Sequence, residues 1–132
     1  MKSSELRIGS YVHPRNHFNF NGSPCNVNWG TITILTNKDA HFTGWSVTPL
    51  NLIDPILLTE EWLVKLGFAH ETSTFDIYKI DKYQLNDFFL SFASFGGAQF
   101  RIKGKDFEPP QFVHQLQNIY FEIHGEILKI RS

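Results

Sequence analysis

Residues 55–68 read PILLTEEWLVKLGF, and the stretch carries the start, face and stop signals of one short helix. Thr59 suits the N-cap, because its hydroxyl can accept from an unpaired amide of the first turn, and Glu60 and Glu61 follow where the helix dipole favours negative charge. Gly67 supplies a left-handed residue to end the helix, Lys65 lies near the carbonyl end, and Phe68 can fold back on Leu63 in a Schellman closure. Trp62, Leu63 and Leu66 fall on one side at three- and four-residue spacing, a face that strands before and after it should bury.

Working toward the N-terminus, residues 5–12 (ELRIGSYV) read as a first strand with Leu6 and Ile8 on one face and Gly9 allowing a bulge or a close backbone approach. Periodicity then stops. Five of the 16 residues from 13 to 28 are Asn, with Pro14, Asn21-Gly22 and Pro24 as turn formers, so a long loop is expected. Phe18 and Phe20 lie inside it, either as anchors tucked into the core or as exposed recognition aromatics. Residues 29–35 (WGTITIL) alternate, Ile32 and Ile34 one way and Thr31 and Thr33 the other, as in a strand with one wet face. Residues 42–47 and 50–53 read as further short strands. The N-terminal part is thus expected to be a small, strongly bent antiparallel sheet, an SH3-like barrel being one form of it.

On the C-terminal side, residues 75–80 read as a strand, and residues 83–95 contain a longer one with apolar residues on both faces. Gly96-Gly97 signals a tight turn, and residues 98–105 return as its partner. Pro109-Pro110 stops the sheet and can open a second helix. Val113, Leu116, Tyr120 and Ile123 form the apolar stripe of that helix and Gly125 closes it. The fold class is α+β: small bent sheet, short helix, hairpin sheet, C-terminal helix. Residues 1–132 read as a single domain, divisible into a β unit at 1–55 and a helix–hairpin–helix part at 56–132.

Several of these pieces, namely Glu5-Leu6-Arg7-Ile8-Gly9, the runs 58–63 and 65–68, and VHQLQNIYF at 113–121 followed by Gly125-Glu126, resemble a family of small uncharacterised proteins. Its members recur in bacterial genomes and mobile elements, typically of Bacteroides-like origin. The resemblance implies a shared fold and brings no known activity. The chain departs from the family pattern at Ser10, where Asn is usual, and at Glu122-Ile123-His124.

Composition bounds the function. At 132 residues, 42% hydrophobic and with a net charge of -1, the chain is long enough for its own core and has no global pull toward polyanions. One cysteine, Cys25, excludes an internal disulfide and thiolate zinc sites, and suits a reducing compartment. With no long apolar run and no signal-peptide core, the expectation is a cytoplasmic protein without a membrane partner. The six histidines lack metal-ligand spacing: Pro14 disfavours a helix at His13 and His17, and His114 and His124 stand about 15 Å apart along one helix. No metal or other cofactor is expected. Cys25 has no activating neighbour, and Glu60 and Glu61 point about 100° apart.

One basic feature remains. If residues 98–105 form one strand, Arg101, Lys103 and Lys105 share a face, which could contact phosphates or simply keep a phenylalanine-rich strand soluble. The leading expectation is a non-catalytic accessory or protein-interaction domain, with another protein as partner and the 13–28 loop as contact surface. The alternative is a nucleic-acid-binding module using the basic face. An enzyme whose site assembles from dispersed residues is a third reading, away from which the sequence leans.

Overall fold

The computed structural model describes residues 1–14, 29–42, 47–75 and 77–131, and Phe18, Phe20 and most of the 13–28 loop lie outside them. The fold is α+β, with two helices and two antiparallel sheets. It divides into two compact units, and the division differs from a cut at residue 55. Unit 1 comprises residues 1–58 and 111–129, whereas unit 2 comprises residues 59–110 and 130–132.

Unit 1 holds β1 (Tyr11–Pro14), β2 (Gly30–Leu35), β3 (Asp39–Phe42), β4 (Thr48–Pro49) and β5 (Ile53–Asp54), in the order β4-β3-β2-β1-β5. A 3-10 turn at Leu50–Leu52 links β4 to β5. The two edge strands are joined by that turn and not paired, so the described strands form an open sheet and no closed barrel. Leu6, Val12, Ile32, Ala40, Phe42, Leu50 and Ile53 make its core.

Three sequence expectations fail locally in unit 1. The first strand begins only at Tyr11, because residues 7–10 close a turn: the Arg7 amide donates to Ser10 Oγ at 2.9 Å and the Ser10 amide to the Arg7 carbonyl at 3.0 Å. Leu6 is buried while Ile8 is 64% exposed, so they share no face. The close approach at Gly9 does hold. It has φ +97°, and a Cβ there would stand 3.1 Å from Ile127. Along β2, a bulge between Ile32 and Ile34 inserts a residue and flips the alternation. Ile32 is fully buried, Ile34 is 53% exposed, and Leu35 turns in toward the core instead. A strand runs over Asp39–Phe42, residues 43–46 of the strand expected over 42–47 lie outside the described residues, and 50–53 is mostly the 3-10 turn. Thr36 explains the earlier start: its hydroxyl accepts from the Lys38 and Asp39 amides and sets the reversal.

The C-terminal helix α2 (Val113–His124) belongs to unit 1. It begins three residues after Pro110, and Gln115 Oε1 accepts from the Gln111 and Phe112 amides at its start. Gly125, φ +74°, ends it. Gln117, completely buried, ties α2 to the sheet: Oε1 accepts from the Tyr11 amide at 2.8 Å, and Nε2 donates to the Gly9 and Leu128 carbonyls at 3.0 and 2.9 Å. Arg7 lies over the Phe121 ring at 4.4 Å. The chain leaves unit 1 and returns to it as a paired ribbon, with the Leu58 amide donating to the Gln111 carbonyl and the Val113 amide to the Ile56 carbonyl.

In unit 2, α1 (Glu60–Lys65) has the expected ends. Thr59 Oγ1 accepts from the Trp62 amide at 3.3 Å, and the Phe68 and Gly67 amides donate to the Leu63 and Val64 carbonyls, both at 3.0 Å. Trp62, Leu63 and Leu66 are buried as expected. The sheet is an antiparallel meander of β6 (Ala69–Phe75), β7 (Tyr78–Leu85), β8 (Phe88–Ala93), β9 (Ala98–Ile102) and β10 (Lys105–Phe107). Two strands read from sequence are each cut by a turn. The reversal between Phe75 and Tyr78 falls inside 75–80, and Asn86, φ +53°, starts the turn that splits 83–95. In β8 Phe88 and Leu90 are buried and Phe89, Ser91, Phe92 and Ala93 half-buried, while Phe95, 64% exposed, lies beyond the end of the strand.

Candidate functional site

Unit 1 contains a pocket of about 560 Å³, in the size range of ligand clefts. Glu5 reaches it from a 3-10 turn (Ser3–Glu5), Asn51 from the β4–β5 turn, Ile53 and Asp54 from β5, Pro55 from the segment after it, and Phe112, His114, Gln115 and Asn118 from the start of α2. Met1 completes the wall, and its ammonium donates to the Leu50 carbonyl at 2.9 Å. The apolar wall of Ile53, Pro55 and Phe112 stands with the carboxylates of Glu5 and Asp54. Among the described residues no lysine or arginine lines the pocket.

Helical geometry supplies the polar wall, since positions 114 and 118 lie one turn apart on the same face. Asn118 Nδ2 donates to the Glu5 carbonyl at 2.8 Å, which fixes the orientation of its amide and leaves Oδ1 buried without a hydrogen-bond partner. His114 is 4% exposed, and its Nδ1 is likewise buried and unpartnered. Two such atoms on adjacent turns of one helix are a departure from the near-complete pairing of buried polar groups. Burial lowers the His114 pKa from its ordinary value, opposed by the nearby charge of Glu5, so the ring is neutral at neutral pH. The Phe112 ring stacks on His114 with centroids 6.0 Å apart. Both unpartnered atoms are sealed from solvent and so lie behind the open surface of the pocket.

Unit 2 carries a second polar cluster. On β6 and β7, His70 Nε2 meets Asp81 Oδ1 at 2.9 Å, and Thr72 Oγ1 donates to the same carboxylate oxygen at 2.8 Å. Those contacts hold the Asp81 pKa below the usual carboxylate value, the His70 hydrogen bond contributing most. The arrangement is not a relay. A hydroxyl–imidazole–carboxylate triad needs the two partners on opposite ring nitrogens, whereas Thr72, at 3.2 Å, and Asp81 meet the same Nε2. His70 also stacks flat on Tyr83 at 4.6 Å. The Tyr83 phenol is pushed up to about 12, first by burial and then by the Glu60 and Asp81 charges.

The residues singled out from sequence are not brought together as one basic row. Residues 98–105 are not one strand: the chain reverses at Lys103 and Gly104, both at positive φ. Arg101 on β9 faces Asp106 across the ladder and contacts it at 2.7 Å, while Lys105 pairs with Ile102 and so belongs to the opposite face. Lys103 sits in the turn, 4.0 Å from Asp87. Sequence reading missed His114 and Asn118 as a site. Their four-residue spacing inside VHQLQN was the available signal, but His114 was weighed only against His124 as a metal partner. Among the described residues no group of three His, Cys, Asp or Glu side chains is placed to hold a metal ion.

No protein-family model, curated protein or solved structure matches the chain. Among the described residues no helix is long and apolar enough to cross a membrane.

Proposed function

We propose that the chain is a non-catalytic interaction domain whose unit 1 binds a short segment of another protein, in the cytoplasm. The observation that supports this reading is the pocket itself. At about 560 Å³ it has room for more than one side chain, and it sets an apolar wall beside polar residues of α2 and carboxylates on two other segments. Such a mixture suits recognition by burial plus a few oriented hydrogen bonds. Half of the lining residues stand on α2 and β5, which favours pre-organised binding.

The test is a titration of isotope-labelled protein with pools of short peptides of defined composition, followed by amide resonances. The expected result is a saturable shift confined to Ile53, Asp54, Phe112, Gln115 and their neighbours. If no pool moves those resonances, the reading fails.

A further inference from the structure

Independently of the pocket in unit 1, we infer that the chain pairs with a second copy of itself through β6 of unit 2, the two strands lying antiparallel about Thr72. β6 ends its sheet, in the order β10-β9-β8-β7-β6, so one row of its backbone groups meets no strand. The ladder shows which row. The Lys79 carbonyl accepts from the Ser94 amide at 2.8 Å and the Lys79 amide donates to Ser94 Oγ at 2.9 Å, so the backbone of Lys79 points to the β8 side. Thr74, opposite Lys79 on β6, therefore turns its own N–H and C=O away from β7. By the period of two, Thr72 and His70 do the same. None of the three makes another backbone hydrogen bond among the described residues.

The two ends of the sheet differ in a way that points to pairing at one of them. β10 is three residues long, carries Lys105 and Asp106 and runs into Glu108-Pro109-Pro110; shortness, charge and proline all keep an edge from pairing. β6 has seven residues, AHETSTF, with no proline, no lysine and one glutamate, and positions 69–72 and 74 are exposed. That strand also complements its own reverse. A two-fold pairing centred on Thr72 uses its whole length and sets Thr72 against Thr72, His70 against Thr74 and Glu71 against Ser73. Each outward residue of one copy then exchanges both its backbone bonds with an outward residue of the other. No charged residue meets its like. A pairing centred on Glu71 would set two carboxylates directly opposite, and one centred on Ser73 shortens the ladder. In the register about Thr72 the two five-stranded sheets become one continuous sheet.

The test follows the intact chain by sedimentation over a concentration series, by amide exchange, and by NMR of a mixture of labelled and unlabelled chains. The expected result is a reversible monomer–dimer equilibrium in which exchange of the His70, Thr72 and Thr74 amides slows as the dimer fills. Glu71 and Ser73 form a pair without mutual backbone bonds, where Cα hydrogens come closest, so an intermolecular contact between those two hydrogens fixes the register. Ser73→Lys adds a carboxylate–ammonium pair on each side of the two-fold axis and should tighten the dimer roughly threefold or more, while Ser73→Glu should loosen it by a similar factor. Thr72→Pro removes a backbone donor that β7 does not use and should abolish the dimer. Should that chain fail to fold, the two Ser73 variants still decide the matter. A chain that stays monomeric up to its solubility limit overturns the inference. So does a dimer of equal affinity in both Ser73 variants, or one that leaves the His70, Thr72 and Thr74 amides exchanging at the monomer rate, since its seam lies elsewhere. An edge that takes up an added peptide strand while the chain remains monomeric likewise rules out self-pairing.

Discussion

Replacing Gln117 by Leu should remove about 3–5 kcal/mol from the stability of unit 1. Leu is close in volume and apolar, so it fills the space without a cavity. What it cannot do is serve the three backbone groups that the amide satisfies: the Tyr11 N–H and the Gly9 and Leu128 carbonyls. Gln117 is completely buried, so water does not readily take its place. A buried group left unpaired costs about 1–3 kcal/mol, and partial relaxation keeps the three from adding in full. Against a typical total of about 5–15 kcal/mol, that loss is a large share.

The assay is hydrogen exchange of the Tyr11 amide alongside denaturant unfolding followed by unit 1 resonances. In the variant the Tyr11 amide should exchange orders of magnitude faster. Gln117→Glu gives an internal check. An ionised carboxylate can still accept from Tyr11 but faces two carbonyls with no proton to offer. Protonation restores one donor, so the pKa of that glutamate is raised by the fold and the variant should grow more stable as pH falls through it. A loss under about 1 kcal/mol in Gln117→Leu, with the Tyr11 amide still protected, would refute the claim that this amide joins helix to sheet.

Three further outcomes are expected. Because burial lowers the His114 pKa, the unfolded chain takes up a proton that the folded one resists; stability should therefore be complete above the ordinary value of 6.5 and decline as pH falls through and below it. Denaturant midpoints of wild type and His114→Gln over that range should show the slope in the first and its reduction in the second. Gly67→Ala should destabilise unit 2 by roughly 1–2 kcal/mol through its left-handed backbone, since the Arg131 side chain in the place of the new Cβ is exposed and can swing aside. Gly125→Ala, with open space at that point, is the thermal-melting comparison that shows whether any steric part remains. Finally, a chain with residues 59–110 replaced by a short Gly/Ser linker should keep the unit 1 amide spectrum, since the Leu58 amide and Gln111 carbonyl are already 2.8 Å apart; a collapsed spectrum would show that unit 1 depends on the insertion.

Local signals were legible where a few neighbouring residues decide the conformation. Thr59, Gly67 and Phe68 cap α1 as read, because N-caps and Schellman closures are contacts within six residues. The α2 stripe holds at Val113, Leu116 and Tyr120 but not at Ile123, which is 39% exposed, and the Gly96-Gly97 turn falls where it was read. The strand boundaries were harder. Asn86 and Lys103 adopt positive φ with only weak sequence advertisement, and each turned one expected strand into two. That single error of reversal is what had set Arg101, Lys103 and Lys105 in a row: shifting Lys105 across a turn moves it to the other face, as a period of two requires.

The pocket was illegible for a different reason. Its acid groups come from positions 5 and 54 and its helix wall from 112–118, so nothing in any local window marks them as neighbours. What brings them together is a set of backbone contacts made by polar side chains in α2. Asn118 holds the turn that carries Glu5, and Gln117, its neighbour in sequence, holds the strand that follows. In VHQLQN the apolar positions announce a helix, but the polar ones do as much to specify the tertiary arrangement. A glutamine and an asparagine on the buried flank of an amphipathic helix therefore merit reading as backbone partners before they are assigned to solvent.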